Sequence, residues 1–145
     1  MDARDAACSG GDGMPDALAP DAALLLRLTN AARRDAKLAP LVLDAALMRS
    51  ARSKCRDMAA TGAFTHRSAR WGGPLELQRV HGVVLRVMGA ENLACHRGPR
   101  LVFLAWMASP AHRANILHPA HNRIGLEVVP AGALGVIACQ EFGGA

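Results

Sequence analysis

The chain has no tyrosine, and only three phenylalanines and two tryptophans in 145 residues. Its core must therefore be aliphatic, built from Ala, Leu and Val. The shortage also removes the aromatic platform on which a single-stranded nucleic acid would stack, and no nucleic-acid reader motif replaces it. The net charge of +5, from 17 Lys and Arg against 12 Asp and Glu, does not restore that reading. Arg49, Arg52 and Arg56 recur at helical spacing, the pattern of a solvated helix face. Long apolar runs are missing too. Nothing approaches the 18 or so residues of a membrane-spanning helix, and Leu24-Leu25-Leu26 lies between Asp21 and Arg27. Neither a basic segment nor an apolar stretch opens the chain as a signal peptide would, although a mature or truncated exported protein would read the same way. The four cysteines, Cys8, Cys55, Cys95 and Cys139, form no CxxC pair, which excludes a metal finger. Two readings stay open for them. They are scattered thiols, with Cys55 and Cys139 buried as small hydrophobes, or some pair in an oxidising compartment.

What is present suits one domain with a real core. Residues 1–19, rich in Ala, Asp and Gly without apolar periodicity, read as a flexible leader or tether, and residues 20–145 as a single domain. From Asp21, Leu24, Leu25, Leu28, Ala31 and Ala32 recur at helical spacing and fade near Lys37. Pro40 breaks the chain. Asp44 is placed to cap a second helix carrying Leu47, Ala51, Cys55 and Met58 on one stripe and ending near Gly62. A short helix is expected over 74–80, an extended segment over 83–87, and a helix over about 99–108. Residues 124–129 and 134–142 read as two strands joined by the turn PAGA. Helices followed by a terminal hairpin predict an α+β layered fold.

One segment concentrates chemistry: WMASPAHRANIL, residues 106–117. An apolar run stops at Ala108, and Ser109-Pro110 then has the form of a new helix start. Ser is a favoured N-cap and Pro fits the first helical turn. His112 would stand in that first turn, where the helix dipole disfavours imidazolium. His118 and His121 form a rival pair, but Pro119 argues against a helix and for an exposed loop. His81 and His96 flank loops and read as surface residues. Trp106 and Phe103 read as core, and Trp71, in a Gly-rich loop, as a candidate groove-lining side chain.

FTH at 64–66, AENLA at 90–94, WMASPAHRANIL at 106–117 and RIGLEV at 123–128 occur in this order. Together they resemble the CAP superfamily of cysteine-rich secretory, antigen 5 and pathogenesis-related class 1 proteins, in its compact bacterial form, over roughly residues 22–143. The resemblance implies a three-layer α-β-α sandwich with a small, mainly antiparallel central sheet. It also implies a cleft around two histidines and acidic residues. By position, His66 and His112 match the family histidines and Glu91 the acid of the ENLA block. Ser109, with Pro110 and Asn115 supporting the cleft, stands where other members carry a second acid. Leu77 stands where relatives have an arginine.

Two neutral imidazoles and one carboxylate form an open donor set for Zn²⁺ or another divalent cation, with Glu91 either a ligand or an orienting residue. The bland reading, polar groups satisfied by backbone, stands beside it. Three classes follow. The first is an extracellular or cell-envelope binding module, monomeric, whose cleft takes a metal and a small lipid, sterol or glycan ligand. The others are a hydrolase, metal-dependent or using Ser109 with His112, and a scaffold with a purely structural cleft. Fold alone does not choose among them, and the first is preferred. Export, in turn, predicts a disulfide joining Cys139 to Cys95 or Cys55.

Overall fold

The computed structural model describes residues 18–145; the expected leader falls almost wholly outside them. Helix α1 (Pro20–Asp35) begins with proline in its first turn and turns Ala22, Leu25, Thr29 and Arg33 inward. After β1 (Val42–Leu43), helix α2 (Ala45–Thr61) starts as the sequence predicts, with Asp44 Oδ1 accepting from Leu47 N at 2.9 Å. It stops at Gly62, whose φ of 71° favours a residue without Cβ. Helix α3 (Pro74–Val80) is followed by β2 (Val87–His96), α4 (Pro99–Ala108) and α5 (Pro110–Ile116). Strands β3 (Arg123–Pro130) and β4 (Val136–Gly144) close the chain, joined through a 3₁₀ turn at Gly132–Leu134.

The sheet order is β1-β3-β4-β2, with β1 parallel to β3 and the other pairs antiparallel, so the sheet is mixed. Alternation along β4 divides the layers. Phe142, Gln140 and Ala138 face α1, α4 and α5, where an aliphatic core gathers Leu25, Val102, Trp106, Ile116, Ile124 and Leu126. Glu141, Cys139 and Ile137 face α2, where Ala51, Cys55, Met58 and Leu93 complete a second cluster. Gly125 sets the spacing of that second layer. A Cβ there would lie 2.0 Å from the Leu47 carbonyl oxygen, so only glycine lets α2 rest its backbone on the sheet.

Four expectations need correction. The extended segment at 83–87 is mostly loop, with Val84 almost fully exposed, and the strand instead takes in AENLA. Ser109 starts α5 through its backbone, its carbonyl accepting from Arg113 N at 2.8 Å, but its side chain makes no capping hydrogen bond. His121 is not on an exposed loop. It is 2 % exposed, stacked against His118 and Phe142, with Nδ1 donating to Asn115 O at 2.9 Å. The disulfide is not formed either: Cys55, Cys95 and Cys139 are free thiols. Strand register explains part of this, because Cys139 stands opposite Leu93 and Cys95 opposite Ile137. The Cys55 thiol donates to Glu127 O and the Cys139 thiol to Glu141 Oε2. Cys8 lies outside the described residues.

Candidate functional site

Strand β2 lies at the sheet edge, and its residues Glu91 and Asn92 point to opposite layers. His66 reaches Glu91 from the α2 side, in the loop after that helix. His66 Nδ1 lies 2.9 Å from Glu91 Oε1, with the imidazole side chain 54 % exposed and the carboxylate side chain 1 %. A carboxylate oxygen accepts, so Nδ1 carries the hydrogen and Nε2 is the free nitrogen. The loop itself is pinned from below. Lys54, buried on α2, donates through Nζ to Thr65 O at 2.6 Å and to His66 O at 3.1 Å.

His112 arrives from the other layer. Asn92 Nδ2 donates to His112 O at 3.1 Å, and Asn115 Nδ2 donates to Asn92 Oδ1 at 2.9 Å and Glu91 O at 3.3 Å. These amides tie α5 to the strand that carries Glu91. The far end of α5 is held by Arg33. Its guanidinium donates to Ile116 O, His118 O and His121 O at 2.8 to 3.0 Å, and to Ala39 O at 2.8 Å. His112 is thus fixed by Asn92, Asn115 and Arg33 rather than by a Ser109 side-chain cap. Its pKa is lowered from the usual 6.5, first by partial burial and then by the charge of His66.

Behind Glu91 stands a residue the sequence reading missed. Glu141 is its direct cross-strand partner on β4 and is fully buried. Its Oε1 accepts from Ser50 Oγ at 3.1 Å and its Oε2 from the Cys139 thiol at 3.3 Å. Burial first, then the neighbouring Glu91 charge and a hydrogen bond to that carboxylate, push the Glu141 carboxyl well above the ordinary 4.5. Glu91 Oε2 is buried and has no hydrogen-bond partner among the described residues. A protonated Glu141 carboxyl is the neighbouring group able to donate to it. Glu91, Cys139 and Glu141 also place one ligand atom each within 4.8 Å of one another. A cation there would have to displace protons from a carboxyl and from a thiol whose pKa burial holds well above 9.0. The protonated acid pair accounts for the same geometry without one. No sequence signal marks Glu141 except its place in a strand beside Gln140, where both polar side chains are buried.

Trp71 meets His81 in a tilted arrangement, ring centres 5.0 Å apart, with Arg70 over the indole, while His81 Nε2 accepts from the Ser53 hydroxyl at 2.6 Å. Its contacts thus belong to the α2–α3 junction. A groove of about 410 Å³ lies between the end of α2 and the β3–β4 turn, lined by Met58, Phe64, Cys95, Ala131, Leu134 and Ile137 and by none of His66, Glu91 or His112.

Residues 26–142 match the Cysteine-rich secretory protein family (CAP). The chain is 36% identical over 110 residues to the protein YkwD of Bacillus subtilis (strain 168), covering 76% of this chain and 43% of YkwD. It therefore spans less than half the length of that relative. Among solved structures, an extracellular protein containing an SCP domain from Bacillus anthracis superposes with a TM-score of 0.79. That match has 21% identity and covers 90% of this chain and 45% of that one. An outer surface protein of Borrelia burgdorferi gives 0.78 at 20% identity, over 86% and 92% of the two chains. The α-β-α sandwich and the family match make this a CAP-domain protein. The chain belongs to the cysteine-rich secretory protein family.

Proposed function

We propose that this chain is an exported binding module whose His66–His112 pair takes a divalent cation such as Zn²⁺ in an open, exchangeable site. One observation carries the reading. Glu91 engages His66 at Nδ1, which leaves Nε2 free, while burial keeps His112 in the neutral form that can ligate. Glu91, with one oxygen committed to His66 and its side chain buried, orients that histidine rather than ligating. When bound, the ion would supply a Lewis-acid point to which a small anionic or polar ligand attaches. With two protein ligands the affinity falls below that of a closed structural zinc site. Export is supported by the extracellular and outer-surface descriptions of the Bacillus anthracis and Borrelia burgdorferi proteins. No helix of the described residues is long and apolar enough to cross a membrane.

A binding role is favoured over hydrolysis because Ser109 Oγ makes no hydrogen bond to His112 among the described residues, which leaves it without a base. The apolar groove at the end of α2, separate from the histidines, favours a small apolar ligand as the module's second guest, with Phe64 and Leu134, 49 % and 66 % exposed, as its walls. Calorimetric titration of Zn²⁺ into wild type, His66→Ala and His112→Ala tests the metal reading. Each variant should lose at least about tenfold in affinity. Wild-type affinity in both would leave a cleft that is purely structural.

A further inference from the structure

Helix α4 is apolar on both sides. Its inner face buries Val102 and Trp106. Its outer face exposes Arg100, Leu101, Leu104, Ala105 and Ala108, which fall within one 140° sector at 100° per residue. Leu101 is 41 % exposed and Leu104 57 %. Helix α5 follows one residue later and exposes Pro110, Ala111, Arg113 and Ala114. Leucine on a solvated helix face loses about 25 cal/mol of transfer free energy per Å² left in water, so two on one face, extended by four alanines and a proline, mark an interaction surface.

Along α4, α5 and the segments that flank them in the chain, the charge is of one sign. No Asp or Glu occurs between Asn92 and Leu126, whereas Arg97, Arg100, Arg113 and Arg123 all do. Arg97, Arg100 and Arg113 are exposed and flank the leucines. The opposite layer differs, because exposed Arg49 and Arg56 on α2 share their helix with Asp57.

We propose that the α4–α5 face docks on an anionic lipid bilayer, the leucines entering the headgroup boundary and Arg97, Arg100 and Arg113 meeting lipid phosphates. Shape and charge select this occupant. The leucines stand out on an exposed helix surface, a shape that suits a headgroup layer. A second copy docked through the same two helices would bring arginines against arginines with no acid on α4 or α5 to pair them. A nucleic acid would match the charge but has no use for two leucines on a face lacking exposed aromatic rings. The docking does not depend on the histidine cleft and survives its failure.

The test is co-sedimentation of the full chain with vesicles of phosphatidylcholine alone and of phosphatidylcholine mixed with phosphatidylglycerol. Binding should require phosphatidylglycerol and weaken with salt. The double variant Leu101→Ser/Leu104→Ser should lose about tenfold or more. Arg100→Glu/Arg113→Glu should lose at least roughly 25-fold, since each near-surface basic residue is worth about 1 kcal/mol and the reversal adds repulsion. Arg49→Glu/Arg56→Glu, on the other layer, should change binding by less than about fivefold, that same single-residue factor. All three pairs are exposed, so unchanged thermal midpoints show that the fold is intact. The proposal is overturned if vesicles fail to bind wild type. It is also overturned if the serine variant binds as wild type does, or if the α2 reversal costs as much as the α4–α5 one. Either result would mean attraction by net charge alone.

Discussion

Glu91 and Glu141 stand directly opposite each other on β2 and β4, both buried, and burial together with the facing Glu91 charge pushes the Glu141 carboxyl above its ordinary range. Because the folded pKa of Glu141 is raised above 4.5, the folded state holds a proton that the unfolded state releases. Its stability contribution is fully present below pH 4.5 and is lost as pH rises through the folded pKa. Glu141→Gln keeps both an acceptor for Ser50 and a donor for Glu91 Oε2. It should hold or improve stability at pH 8 and remove this pH-dependent limb. Glu141→Ala leaves Glu91 Oε2 unsatisfied and should cost about 1–3 kcal/mol. Urea unfolding of the three proteins from pH 4 to pH 8 reads both effects.

Histidines act in the opposite direction. His121 has a pKa lowered from 6.5, chiefly by burial and against the raising effect of its bond to Asn115, and that of His112 is lowered as well. Below 6.5 the unfolded state binds more protons, so this stability is complete above pH 6.5 and is lost as pH falls through the folded values. His121→Phe should flatten the acid side of the profile. The measurement is the urea midpoint between pH 5 and pH 7, and a slope unchanged in the variant would contradict the assignment.

Arg33 is buried without a carboxylate and spends its donors on four carbonyls. Arg33→Met should cost about 2–4 kcal/mol, because several buried carbonyls lose their donors together. Arg33→Lys should rescue little, since an ammonium cannot reproduce the planar fork. Thermal unfolding checks the stability loss. Hydrogen exchange at Ile116 and Leu117 checks that α5 is the part that loosens.

Ser109→Ala should cost less than about 0.5 kcal/mol, because no side-chain cap is lost. A fluorophosphonate reagent should leave Ser109 unlabelled, and mass spectrometry of the treated protein would detect the contrary result.

Much of the fold is legible in the sequence, and the reasons differ element by element. Helices α1 and α2 announce themselves through Leu and Ala at helical spacing, although Thr29 and Arg33 share the inner face of α1 and Ser50 and Lys54 that of α2, and Asp44 closes the start of α2. Strands β3 and β4 follow from apolar runs separated by a turn. The two residues of β1 carry no pattern of their own, since parallel pairing with Arg123 and Ile124 makes them a strand. Strand β2 is hidden because its buried positions include Glu91 and Asn92, and because Gly89, at φ 96°, interrupts its register. At the site, the positions of His66, Glu91 and His112 come from the motifs, whereas the supporting residues do not. Lys54, Arg33 and Glu141 look like surface charges in a one-dimensional reading. Each is buried because backbone carbonyls or a facing carboxylate lie near it only in the folded chain. His121 is hidden for the same reason, as its stacking partner Phe142 lies at the far end of the sequence.

The central claim, a metal held between His66 and His112, is tested most directly by a long-range ¹H–¹⁵N spectrum of the imidazoles recorded before and after Zn²⁺. The account predicts that Nε2 of both His66 and His112 moves on metal addition, while Nδ1 of His66 keeps its hydrogen against Glu91. Shifts at His118 and His121 with His66 and His112 unmoved, or no shift at any histidine, would contradict it.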